Sequence, residues 1–184
     1  SDNLELYNYS IYANDSLAAS GSISGTSYEE NTSVTVSDDG YYVIKVVVFD
    51  AAGNSGSASV GIYVDTTAPT VQILSPADGS YIADTAFNVS WNTSDSIQLK
   101  NYSVYVNDSL VASGDISGTY YEGLDEVSVS WDGYYVVVIK VFDAAGNYGT
   151  DTIGVYVDTT PPTAQIFVPE NGSYLRGDVW INFS

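Results

Sequence analysis

Two copies of the heptapeptide VFDAAGN stand 93 residues apart, at 48–54 and 141–147. Each sets an aspartate four residues before an asparagine, Asp50 with Asn54 and Asp143 with Asn147. Each is followed by YVDTT, at 63–67 and 156–160, which adds Asp65 and Asp158. Carboxylate and amide oxygens are hard ligands and suit Ca²⁺, which takes roughly six to eight of them, where the fold brings them together. The same residues also make a self-sufficient turn. The Asp accepts from backbone N–H groups, the Gly takes positive φ and the Asn closes a hairpin. The two readings are compatible.

Other reaction chemistry finds no residues. The chain has no His, Cys or Met. The usual general base, the commonest transition-metal ligand and every thiol reaction are excluded with them. P-loop, G-x-S-x-G and dinucleotide motifs are absent. Glu29-Glu30 reads as a solvated face, not an acid/base pair. We expect no enzymatic activity. Four Lys+Arg against 23 Asp+Glu leave a net charge of −19, which excludes nucleic-acid and anionic-membrane partners that need a cationic footprint. No apolar run is long enough to span a bilayer, and the chain opens at Ser1 without a leader, so we expect a mature soluble segment or an excerpt of a longer chain.

A second class of site is modification. Nine of the 12 Asn lie in N-x-S/T without Pro at x: Asn8, Asn14, Asn31, Asn88, Asn92, Asn101, Asn107, Asn171 and Asn182. With 39 Ser+Thr in 184 residues, chance gives roughly 2.5. N-linked glycans at these positions would place the protein outside the cell, in an N-glycosylating organism.

The elements that must position these residues repeat. Residues 1–65 align with 94–158 without a gap, with 40 identities in 65 positions. VDTTAPT at 64–70 then meets VDTTPPT at 157–163, and FNVS at 87–90 meets INFS at 181–184. The chain is an array of one unit. Its apolar residues alternate with period two: Tyr135, Val137, Ile139 and Val141 on one face, Phe87, Val89 and Trp91 on another. Expected strands are Val71–Ser75, Ala86–Trp91, 102–106, 109–113, Val127–Ser130, Tyr135–Phe142 and Thr152–Val157. Asn107-Asp108 marks a tight hairpin. Tyr63 and Tyr156 face outward. The pattern predicts an all-β fold of tandem Ig-like β-sandwiches with Greek-key connections. The predicted division is 1–65, a domain lacking its first two strands; 66–158, a complete domain; and 159–184, the first two strands of another. DGYY at 39–42 and 132–135 predicts tyrosine corners at Tyr42 and Tyr135. Pro69, Pro161 and Pro162 stiffen the DTTAP and DTTPP linkers.

DGYYVVVIKVFDAAGN…IGVYVDTTPPT resembles the bacterial and archaeal immunoglobulin-like tandem repeats of large surface proteins and adhesins. The resemblance implies an extracellular array and, with the dense sequons, an archaeal source. In such a topology the linker meets the loop after the second strand and the loop before the last strand. That would gather Asp65, Asp95, Asp143 and Asn147, with Asp2, Asp50 and Asn54 as the preceding set and Asp158 opening the next. The resemblance also implies that Ca²⁺ stiffens such junctions. The Lys–Asn isopeptide bond of some related domains is not expected, because Lys45 and Lys140 face outward at non-equivalent positions. The functional expectation is a structural segment of a glycosylated extracellular filament or stalk. The alternative is a spacer or binding module of an adhesin, S-layer protein or carbohydrate-active enzyme. The expected partner is the protein itself, head to tail, by a continuous array or by strand donation.

Overall fold

A computed structural model describes residues 3–184. Residues 6–64 form four strands, β1 (Leu6–Ala13), β2 (Ser16–Ser22), β3 (Gly40–Asp50) and β4 (Ser55–Val64). They make one antiparallel sheet ordered β2-β1-β3-β4.

Residues 70–157 form eight strands: β5 (Thr70–Ser75), β6 (Ser80–Ile82), β7 (Ala86–Ser94), β8 (Leu99–Val106), β9 (Ser109–Asp115), β10 (Tyr120–Ser128), β11 (Gly133–Asp143) and β12 (Tyr148–Val157). They pair as two sheets, β10-β7-β5 and β6-β12-β11-β8-β9. The rest is β13 (Ile166–Val168) paired with β14 (Asn182–Phe183). All described elements are strands, and the second unit is an Ig-like sandwich.

Period-two alternation puts Val137, Ile139 and Val141 of β11, Val155 of β12 and Val89 and Trp91 of β7 fully inside. These side chains close one core between the two sheets. The Trp91 ring lies over Gly123 of β10, where any Cβ would overlap it. Its Nε1 donates to Asp125 Oδ2 at 2.8 Å, and the Tyr102 hydroxyl donates to Asp125 Oδ1 at 3.0 Å. Burial, then the Asp125 carboxylate, pushes the Tyr102 hydroxyl up to about 12. The two polar groups at the core edge therefore share one acceptor.

Asn14-Asp15 and Asn107-Asp108 are the two-residue hairpin turns, with positive φ at both positions of each. The tyrosine corners are present: Tyr42 donates to Asp38 O at 2.8 Å and Tyr135 to Trp131 O at 2.9 Å. Tyr63 and Tyr156 are exposed. The expected strands lie within or overlap longer observed ones. The largest difference is β10, expected over 127–130 and observed over Tyr120–Ser128. Its outward residues include Glu122 and Glu126, so its sequence reads as a loop until β7 supplies nine residues of pairing. β6 was not anticipated. Its three residues form a strand only by parallel pairing with β12.

Candidate metal centre and domain junction

The cluster is built by the second unit and the linker before it. Asp143 ends β11, where its turn holds it. Oδ1 accepts from Gly146 N and Asn147 N at 2.6 and 2.8 Å, and Oδ2 accepts from Asn147 Nδ2 at 2.7 Å. Asp95 begins the turn after β7 and caps it, its Oδ1 accepting from Ile97 N and Gln98 N at 2.8 and 2.9 Å. Asp65 leaves β4 and starts the linker, with Oδ1 accepting from Thr67 N at 3.2 Å. One carboxylate oxygen of each of Asp65, Asp95 and Asp143 lies within 4.8 Å of the others.

The two remaining oxygens decide how the cluster reads. Asp65 Oδ2 and Asp95 Oδ2 are buried and have no hydrogen-bond partner. Buried carboxylate oxygens without donors are costly, and a bound ion or water is the usual reason for them. Loss of solvent, then the Asp95 and Asp143 charges, holds the Asp65 carboxyl above the ordinary aspartate value. The donor set is all-oxygen and acidic, which fits Ca²⁺. Asn147 turns its Nδ2 toward the cluster and donates to Asp65 O at 3.1 Å. The VFDAAGN turn of the second unit thus grips the linker directly.

Among the described residues, Asp50, Asn54 and Asp158 join no such cluster. Asp50 and Asn54 form the equivalent turn, with Asp50 accepting from Asn54 N and Nδ2 at 2.7 Å each. The Asn54 side chain holds the Asp50 carboxyl below its ordinary value. Asp158 accepts from Thr160 N at 3.1 Å and is exposed. Asp2 lies outside the described residues.

A second clamp was not foreseen. Asp39, at the end of the loop before β3, accepts from Thr66 N, Thr66 Oγ1 and Thr67 Oγ1 at 2.9, 2.8 and 2.6 Å. Asp132 repeats this with Thr159 N, Thr159 Oγ1 and Thr160 Oγ1 at 3.0, 2.7 and 2.8 Å. The threonine hydroxyl and amide donors hold both carboxyls below the ordinary value. The linker Thr-Thr is therefore tied to the unit it leaves. Repetition of D-G before β3 and of D-T-T after β4 was the available signal.

Residues 69–155 match the family model described as the bacterial Ig domain. The second unit is similar to a bacterial Ig domain over almost all of its length. Among curated relatives, Chitinase A1 of Niallia circulans is 29% identical over 169 residues, covering 88% of this chain and 23% of that protein. Chitinase D of the same organism is 32% identical over 105 residues, covering 56% of this chain and 19% of its own length. The chain thus spans less than a quarter of these relatives. Similar solved structures include the fibronectin(III)-like modules of Clostridium thermocellum CbhA, with 17% identity, coverage of 85% and 80% of the two chains and a TM-score of 0.46. A 1.5-MDa bacterial ice-binding adhesin gives 17% identity, 93% and 60% coverage and a TM-score of 0.35.

Along the chain the sequon asparagines fall into three groups. Asn31, Asn88, Asn171 and Asn182 are exposed, and Asn8, Asn92 and Asn101 are half-buried. Asn14 and Asn107 are exposed but employed. Their Oδ1 atoms accept from Val43 N and Val136 N at 2.9 Å each, which joins the hairpin tip to the neighbouring strand. Lys140 lies over the rings of Phe142 and Tyr148, 4.8 and 3.9 Å from their centroids. Its ammonium is thus placed as a cation–π partner on the outer face.

Proposed function

We propose that this chain is a segment of an extracellular stalk, a non-catalytic run of head-to-tail Ig domains that holds something at a distance. The observation that carries the reading is the junction. The linker is tied backward through Asp39 to Thr66 and Thr67, and forward through Asn147 to Asp65 O. A repeat with both ends of its linker fastened propagates direction along an array. Calcium bound by Asp65, Asp95 and Asp143 would add a third tie at the same place, and glycans on the exposed sequons would cover sheet edges against lateral pairing. The test is small-angle scattering on chains of increasing repeat number. The maximum dimension should grow by about 35–45 Å per unit, from ~10 residues per strand at ~3.3 Å plus a linker. A size that grows as for a flexible or collapsed chain refutes it. Glycopeptide mass spectrometry of the native protein tests the modification, with Asn31, Asn88 and Asn171 expected first. Unmodified peptides at all three would remove glycans from the reading.

The chitinase relatives favour a second reading, in which the array is the spacer of a secreted carbohydrate-active enzyme. A catalytic domain elsewhere in the full gene would select it; repeats alone would select the structural filament.

A further inference from the structure

Strand register sets one sequon among built neighbours on the outer face of the five-stranded sheet. Val104 and Val106 point into the core, so Asn101 and Ser103 of β8 point outward together. Asn101 pairs with Phe142 of β11 on one side and with Asp115 of β9 on the other. Ser103, the hydroxyl residue of the same N-x-S, pairs with Lys140 and Ser113. Asn101, Ser103, Ser113, Asp115 and Phe142 line a cavity of about 530 Å³, within the size range of small-ligand clefts. The Phe142 ring is braced by the Lys140 ammonium, 4.8 Å from its centroid, and by the Tyr148 ring at 5.6 Å. Among the described residues no hydrogen bond engages the Asn101 side chain, whereas Asn14 and Asn107 hold neighbouring strands. The first unit repeats the placement: Asn8 pairs with Phe49, and Ser10 with Val47 and Ser20. Asn8 Oδ1 is buried without a donor, which leaves Nδ2 as the outward atom of that amide. Asn88 and Asn92, on the three-stranded sheet, stand opposite Glu126 and Glu122 instead.

We propose that Asn101, and Asn8 in the equivalent place, carry N-linked sugars whose first residue docks on the sheet against Phe142 and Phe49. The inference rests on the glycan reading above and deepens it by giving one glycan position a seat. Attachment joins Nδ2 to the anomeric carbon of a phosphate-activated sugar, supplied by the transferase of an N-glycosylating cell. It breaks the bond from that carbon to the phosphate oxygen, and the Nδ2 proton leaves with the phosphate group. Directly opposed residues of an antiparallel pair have Cβ atoms about 4.5–5.5 Å apart, so a pyranose on Asn101 lies beside the Phe142 ring. A pyranose turns axial C–H groups out of one face, and these are drawn to the negative face of an aromatic ring. On the other flank Asp115 accepts from sugar hydroxyls, and Ser113 accepts from them or donates to them. The sugar then spans β11, β8 and β9 and is part of the sheet, unlike a glycan on an exposed turn. It exists as a contact only in the folded chain, so it stabilises the fold. In the first unit Ser22 and Val47 stand where the second has Asp115 and Lys140, so the sugar on Asn8 keeps the ring and loses the carboxylate.

The test uses the native glycoprotein. Glycopeptide mass spectrometry should find sugar on Asn8 and Asn101. In proton NMR the C–H signals of the Asn101-linked sugar should lie upfield, in the ring current of Phe142, and return to their free positions in Phe142→Leu. Ser103→Ala removes the sequon and leaves Asn101 in place. It should raise the unfolding equilibrium constant of the glycoprotein by about three- to tenfold, the worth of one contact on an aromatic face. Ser103→Thr keeps the sequon and should keep both the sugar and the stability. The cost of Ser103→Ala should vanish in the Phe142→Leu chain, and also in chains made by a host without N-glycosylation. Sugar on Asn31 or Asn88 with Asn8 and Asn101 bare overturns the docking and leaves the glycan coat standing. Sugar on Asn101 with signals unmoved by Phe142→Leu overturns it as well, as does a Ser103→Ala cost that is the same with and without glycosylation. Bare asparagine at every sequon takes down both the docking and the coat.

Discussion

Replacing Asp95 with Asn separates the charge of the cluster from its hydrogen bonding. Asn keeps an Oδ1 for Ile97 N and Gln98 N, so the turn after β7 retains its cap. What is lost is one negative charge beside two others within 4.8 Å. At an effective dielectric constant of about 20 and a separation at that limit, each such pair repels by ~3.5 kcal/mol before solvent screening. Solvent on the open side screens this strongly, so the ion-free protein should gain about 1–2 kcal/mol from Asp95→Asn. For a domain of this size that is an increase in Tm of ~5–10 °C in chelator. Calcium should reverse the order. At a free concentration of ~100 Kd the wild-type junction gains about 2.7 kcal/mol, while the variant, short of one carboxylate, gains little. The assay is calorimetry of both proteins in chelator and in calcium up to ~10 mM, which spans the affinities of extracellular sites. The signature is a crossing, with the variant more stable without calcium and the wild type more stable with it. A variant destabilised in chelator refutes the electrostatic account. A variant with the full calcium shift removes Asp95 from the site.

Acid should free the linkers. Asp39 and Asp132 have folded-state values held below 3.8, so their contribution is present above the unfolded value and is lost as pH falls through the depressed folded value. Scattering should show a stiff linker at neutral pH and a flexible one in strong acid. Asp65 acts with the opposite sign. Its raised value means that its stability contribution is full below the ordinary aspartate range and is lost as pH rises through the folded value. Calcium should therefore release a proton on binding between these limits, measurable as a buffer-dependent heat. Gly149→Ala should cost the second unit about 1–3 kcal/mol by driving a Cβ into the Pro69 carbonyl, read by chemical denaturation. Trp91→Ala should cost ~3–5 kcal/mol by opening the core and leaving Asp125 one donor short, and an unchanged midpoint would contradict the core assignment.

Much of the fold was legible because strand patterning is local. The alternation of Val137, Ile139 and Val141 with Val138 and Lys140, the Asn-Asp turns and the two D-G-Y-Y corners each specify their conformation within a few residues. The repeat added the unit length and the linker. β6 and most of β10 were not legible. Their sequences are short or acidic, and they become strands only when β12 and β7 lie beside them.

The two copies of VFDAAGN show where sequence stops deciding. The heptapeptide alone determined the turn, since Asp50 and Asp143 each accept from the asparagine four residues on. It did not determine the burial around it. Asp143 is fully enclosed and lies beside Asp65 and Asp95, whereas Asp50, in the same seven residues, caps its turn without a second carboxylate beside it among the described residues. A turn is made by hydrogen bonds within its own residues. Convergence of carboxylates needs a linker and a second sheet distant in sequence, and only tertiary packing sets the desolvation that makes their charges costly enough to call for a cation.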